Sequence, residues 1–128
     1  RGAHDGPNYD TASVARAAGA LSQASLPARL LVDCSHGNSA KDYRRQPEVA
    51  ASIAQQIAAG SILVSGILLE SHLVEGRQDI RSGRDGLLYG QSVTDGCIGW
   101  DGTEAVLENL AAAVRSRRCH AGVQPALP

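Results

Sequence analysis

The sequence predicts an α/β protein built on parallel strands, and two observations carry that prediction. Two short apolar runs, Arg29 to Asp33 and Ile62 to Glu70, have the length of buried strands, and both end in polar groups. Stretches with apolar residues at helical spacing alternate with them, which is the order of strands joined by right-handed crossovers.

The elements follow in turn. After a Gly/Pro/Asn-rich opening, Asp10 can cap a helix whose apolar stripe is Val14, Ala17, Ala18 and Leu21, ended by Leu26-Pro27. Arg29 to Asp33 is the first strand, followed by the polar loop Cys34-Ser35-His36-Gly37-Asn38. Pro47 suits the first turn of a second helix with Val49, Ile53 and Ile57 on one face, and Gly60 stops it. The second strand, from Ile62, runs into Glu70-Ser71-His72, and a Gly- and charge-rich loop is expected from Glu75 to Gly90. Asp101 and Glu104 resemble a capping box for a last helix, with Val106, Leu107, Leu110 and Val114 buried and the arginines of 115–118 at its negative end. A frayed tail is expected over 119–128.

The chain of 128 residues, 43% of them hydrophobic, suffices for one modest domain. Two strands do not make a stable parallel sheet, so further strands or a larger parent sheet are expected. A net charge of -1 without concentrated Lys and Arg argues against a nucleic-acid partner. No apolar run approaches the roughly 18 residues of a membrane span, and none reads as a signal peptide. Three cysteines without a CxxC pair point to reduced thiols. A cytoplasmic protein with no membrane partner is expected.

In parallel α/β folds the carboxyl ends of strands gather on one face, so polar groups there converge from distant positions. His36, Glu70 and Asp95, the last from "SVTDGC", offer an imidazole and two carboxylates suited to Mn, Fe, Co or Zn. The spacing is not a compact motif, and capping or hydrogen bonding explains polar strand ends equally well. His72 reads as a loop hydrogen-bonding group, and Cys34 and Cys97 as small buried residues. The glycines of "GSILVSG" neither follow a strand nor open a helix, so they are no phosphate loop.

Taken together, "DCSHGNS", "ESHLVEGRQD", "YGQSVTDGCIGW" and the opening "RG…PNYD" resemble the C-terminal part of class I 3-deoxy-D-arabino-heptulosonate-7-phosphate (DAHP) synthases, from Arg1 to about Arg118. The resemblance implies the C-terminal part of a (β/α)8 TIM barrel, from the end of strand six through helix eight. It implies condensation of phosphoenolpyruvate with erythrose 4-phosphate and water to give DAHP and phosphate, the first step of the shikimate pathway. It further implies a required divalent metal, with ligands that match His36, Glu70 and Asp95. His36 is implied as a catalytic residue that also meets substrate, and Arg1 as the guanidinium binding phosphoenolpyruvate. The family's "RGG" here reads Arg1-Gly2-Ala3. The family's metal-binding Cys matches neither Cys34 nor Cys97 and is expected upstream of Arg1, with the remaining phosphate-binding cations and the remainder of the barrel. The complete enzyme is expected to be a homo-oligomer and the isolated chain inactive. The alternative is a non-catalytic α/β interaction module that keeps the motifs as structure.

Overall fold

The computed structural model describes residues 1–80 and 83–122. The described residues form a mixed α/β structure of three α-helices and two small parallel sheets. Helix α1 spans Thr11–Gln23, and the Asp10 side chain accepts a 2.9 Å hydrogen bond from the Ser13 N–H, the expected cap. Its buried residues are Val14 and Ala18, while Ala17, expected in the stripe, is exposed. Strand β1, Leu30–Asp33, pairs in parallel with β2, Val64–Leu68, so both expected strands form, the second shorter than the run that announced it.

A 3-10 turn at Tyr43–Arg45 leads into α2, Gln46–Ala58, with Pro47 in its first turn. Gly60 adopts a φ of +103° as its N–H bonds to the Ile57 carbonyl, the conformation that lets a glycine stop a helix.

The loop expected from Glu75 is a strand at its start. Strand β3, Val74–Arg77, pairs in parallel with the two-residue β4, Gln91–Ser92, and Gly76 exchanges backbone hydrogen bonds with Cys97. The Val-Glu-Gly-Arg run carries too little alternation of apolar and polar residues to announce itself.

Helix α3, Trp100–Gly122, differs from expectation in three ways. It begins one residue before Asp101, so Asp101 lies within the first turn rather than at the cap, and the Thr103 N–H bonds back to the Gly99 carbonyl. Its buried residues include Val106 and Ala113, whereas Leu107 is 52% exposed. It also continues through 119–122, where a tail was expected, so the arginines lie inside it and Arg117 donates to the Ser61 carbonyl at 2.8 Å. Residues 123–128 lie outside the described ones.

Helices α2 and α3 pack on each other and over one face of β1–β2. The core joins Val14, Val32, Ile53, Ile57, Val64 and Ala113, with Cys34, Val49 and Val106 continuing it toward the strand ends. On the opposite face, register sets Leu31 beside Gly66 and Asp33 beside Leu68; Leu31 is 64% exposed. Among the described residues no helix is long and apolar enough to cross a membrane.

Candidate metal and anion site

Because β1 and β2 are parallel, Asp33 and Leu68 end side by side, and the residues just beyond them face one hollow. His36, Glu70 and Asp95 each bring a ligand atom there, and these three atoms lie within 4.8 Å of one another. The hollow, about 340 Å³, is also lined by Arg1, Ser39 and Lys41. All four residues singled out from the sequence therefore border one cavity. His72 does not join them: its Nδ1 accepts from the Leu73 N–H in an exposed loop, the role expected for it.

His36 is held by Asp33. The buried Asp33 carboxylate accepts from the Ser35 N–H at 2.8 Å and the Ser35 hydroxyl at 2.6 Å through Oδ1, while Oδ2 stands 2.8 Å from His36 Nδ1. With the hydroxyl proton directed to Asp33, the Ser35 oxygen, 2.6 Å from Nδ1, is a second acceptor for an Nδ1–H. That network puts the ring proton on Nδ1 and leaves the Nε2 lone pair toward Glu70, whose Oε1 is 3.5 Å away. Burial pushes the Asp33 carboxyl up, but the Ser35 hydrogen bonds and the neighbouring His36 outweigh it and hold the group below the usual carboxylate value. His36 takes a φ of +52°, a conformation unusual outside glycine, and the loop also strains Ala40 and Lys41 at +53° and +63°.

Glu70 sits just beyond β2. Partial burial raises its pKa, His36 offsets this in part, and the charges of Asp95 and Asp33 add to the rise. A divalent cation between these carboxylates would relieve that repulsion, and one imidazole with two carboxylates is a donor set that fits a first-row divalent metal. Asp95 is exposed at the rim, on a segment tied down by the Ile98 N–H bonding to the Glu70 carbonyl.

Arg1 approaches through its backbone. The Gly37 N–H donates to the Arg1 carbonyl at 3.1 Å, and Gly2, at φ +85°, is so close that a Cβ there would lie 2.7 Å from Gly37 Cα. The Arg1 side chain is exposed, with Nε 3.8 Å from Asp33 Oδ2. Behind this contact, buried Asn38 donates to the Asp33 carbonyl and accepts from the Asn8 N–H, and Asn8 in turn accepts from the Gly2 N–H.

The model of the family described as "DAHP synthetase I family" matches residues 1–108. The chain belongs to the DAHP synthetase I family. Family relatives include a putative phospho-2-dehydro-3-deoxyheptonate aldolase of Schizosaccharomyces pombe, 51% identical over 121 residues, which cover 94% of this chain and 33% of that protein. The Phe-sensitive phospho-2-dehydro-3-deoxyheptonate aldolase of Escherichia coli K12 is 48% identical over 112 residues, 88% of this chain and 32% of that one. A solved phospho-2-dehydro-3-deoxyheptonate aldolase from Francisella tularensis superposes with a TM-score of 0.86 at 43% identity, covering 92% of this chain and 34% of that structure. The chain thus spans about a third of the length of the DAHP synthetase relatives it matches.

The groups that hold the site together were not singled out from the sequence. Asp33 stands three residues before His36, a spacing visible in "DCSH", but only the turn after β1 brings its carboxylate onto Nδ1. Gly2 and Gly37 are two of 14 glycines, and nothing in the sequence marks them as the pair whose backbones touch. Cys34 is fully buried as expected; burial, then the Asp33 charge, push its thiol up to about 12.

Proposed function

We propose that the chain is the C-terminal portion of a class I DAHP synthase, corresponding to the end of strand six through helix eight of a (β/α)8 barrel over residues 1–118. In the complete cytoplasmic enzyme it takes part in condensing phosphoenolpyruvate with erythrose 4-phosphate. The observation that carries this reading is the convergence of His36, Glu70 and Asp95 ligand atoms within 4.8 Å, beside Arg1, in a chain that the family model matches over 1–108. The open face of β1–β2, with Leu31 and Leu68 exposed, supports the presence of further barrel strands in a longer protein.

His36, Glu70 and Asp95 would hold a divalent ion, Mn, Fe, Co or Zn, which when bound supplies Lewis acidity toward a carbonyl or water oxygen. Asp33 keeps the His36 proton on Nδ1, so that Nε2 offers its lone pair and the ring faces both ion and substrate. Arg1 presents a guanidinium fork to the phosphate or carboxylate of phosphoenolpyruvate. In the reaction carbon three of phosphoenolpyruvate bonds to the erythrose 4-phosphate aldehyde carbon, water leaves its oxygen at carbon two while its two protons go to the former aldehyde oxygen and the departing phosphate, and phosphate leaves with the bridging oxygen as the bond from that oxygen to carbon two breaks.

The test is phosphate release from the two substrates with Mn²⁺. The full-length protein carrying this chain is expected to turn over and to stop when Glu70 is changed to Gln. The 128 residues alone, lacking the upstream ligand and cations, are expected to release none. A full-length protein that binds neither substrate would overturn the reading in favour of a non-catalytic module.

A further inference from the structure

The only polar side chain of α2 that is wholly inaccessible belongs to Gln46, its first residue, which makes no contact with the cavity through its own functional group. Its amide is spent on one residue. Oε1 accepts from the Glu70 N–H at 2.7 Å, and Nε2 donates to the Glu70 carbonyl at 3.0 Å. A side-chain amide that donates and accepts against the same residue imitates a neighbouring strand for one position beyond the end of β2, where the ladder with β1 has stopped. The Glu70 carbonyl also accepts from the Ile98 N–H at 3.0 Å, so both of its lone pairs are used, whereas the Glu70 N–H has Gln46 as its partner.

We infer that Gln46 is a positioning residue for metal binding: it fixes the backbone of Glu70, and so the direction of its carboxylate, through a paired hydrogen bond from the start of α2. The inference rests on the reading of Glu70 as a ligand. Two further features bear on it. The 3-10 turn that delivers Gln46 follows directly on the loop of His36 and Lys41, so the clamp ties the His36 loop to the Glu70 strand end. The same Glu70 carbonyl receives Ile98, three residues after Asp95, so the clamped residue is the junction of all three ligand segments.

Gln46→Met keeps the side-chain length and removes both hydrogen bonds. In the full-length protein, Mn²⁺ affinity is read from the electron-paramagnetic signal of free Mn²⁺, with Glu70→Gln as control and the thermal transition of the metal-free protein measured alongside. The expected result is a loss of about 10- to 100-fold in Mn²⁺ affinity for Gln46→Met, the range for residues that orient ligands. A group serving stability alone would lower the metal-free transition and leave the affinity of the folded protein unchanged; that outcome overturns the inference. If Glu70→Gln also leaves the affinity unchanged, the ligand assignment itself fails; if only Gln46→Met does, the assignment stands and the clamp is rejected. Should Gln46→Met not fold, hydrogen exchange of the Glu70 amide in the unaltered protein decides: added Mn²⁺ is expected to slow it, and exchange indifferent to Mn²⁺ rejects the clamp.

Discussion

Replacing Asp33 by asparagine removes one charge and almost no volume, yet it sets three donors against one acceptor oxygen. In the native arrangement Oδ1 takes the Ser35 N–H and hydroxyl and Oδ2 takes the His36 Nδ1–H. An asparagine turned to keep both Ser35 bonds points its NH₂ at Nδ1. The imidazole must then carry its proton on Nε2, the nitrogen 3.5 Å from Glu70, and loses the lone pair a metal needs. Turned the other way, it keeps His36 but strands the buried Ser35 N–H, at a cost of about 1–3 kcal/mol. The first arrangement strands no backbone group, so the loss falls on metal affinity: about 10- to 100-fold, or about 1.4–2.8 kcal/mol. Titrating Mn²⁺ into wild-type and Asp33→Asn full-length proteins, with thermal transitions of both, checks this. An Asp33→Asn protein with unchanged affinity and unchanged stability would refute the hydrogen-bond assignment.

Two further outcomes are expected. Gly37→Ala sets a Cβ about 2.9 Å from the Arg1 carbonyl and 3.2 Å from Gly2 Cα, both of them backbone, so Arg1 must move; the cost expected in thermal unfolding is about 1–3 kcal/mol, with, on the proposed role of Arg1, a higher KM for phosphoenolpyruvate in the full-length protein, and an unmoved transition would show that the two backbones separate freely. Cys34, fully buried with its thiol raised to about 12, is disfavoured as a thiolate in the folded state. Its alkylation should stay negligible as pH rises from 7 to about 9, through the ordinary thiol range, and begin on unfolding, while exposed Cys119 reacts throughout; labelling followed by peptide mass spectrometry reads both, and prompt modification of folded Cys34 would contradict its burial.

The parts of the fold that were legible in the sequence are those where one residue decides locally. Asp10 caps α1, Pro47 opens α2 and Gly60 closes it, because each acts through its own backbone or its immediate neighbours. Strand β3 was not legible, because Val74 and Gly76 pair with residues near 91 and 97 and the run itself has no period. The start of α3 misled for a related reason: Asp101 and Glu104 have the spacing of a capping box, but Gly99 supplies the first carbonyl two residues earlier, to the Thr103 N–H, and the helix takes it. Leu107 falls on the expected buried face beside Val106, Leu110 and Val114, yet it is exposed, and where α3 meets α2 the small Ala113 is buried.

At the candidate site, the residues that reach into the cavity were legible because they are chemically conspicuous at strand ends, and those that hold them were not, because burial cannot be seen in a sequence. The buried polar residues among those described are Asp33, Ser35, Asn38, Ser39, Gln46, Gln56, Ser92 and Thr103, and the first five lie between β1 and the start of α2. Burying a polar group is unfavourable unless its hydrogen bonds are met, and among the described residues no buried side-chain polar atom lacks a partner. The bonds met here are specific: Asp33 fixes His36, Asn38 links the Asp33 carbonyl to the Asn8 N–H and so to the Arg1–Gly2 turn, and Gln46 fixes Glu70. A segment kept only as structural filler would do better with apolar residues of the same volume, since a packed apolar core needs no matched partners. The concentration of satisfied buried polar groups behind His36, Glu70 and Arg1 is therefore better explained by a need to hold those side chains in place than by stability, and it favours a working site over a module that retains its motifs as scaffold.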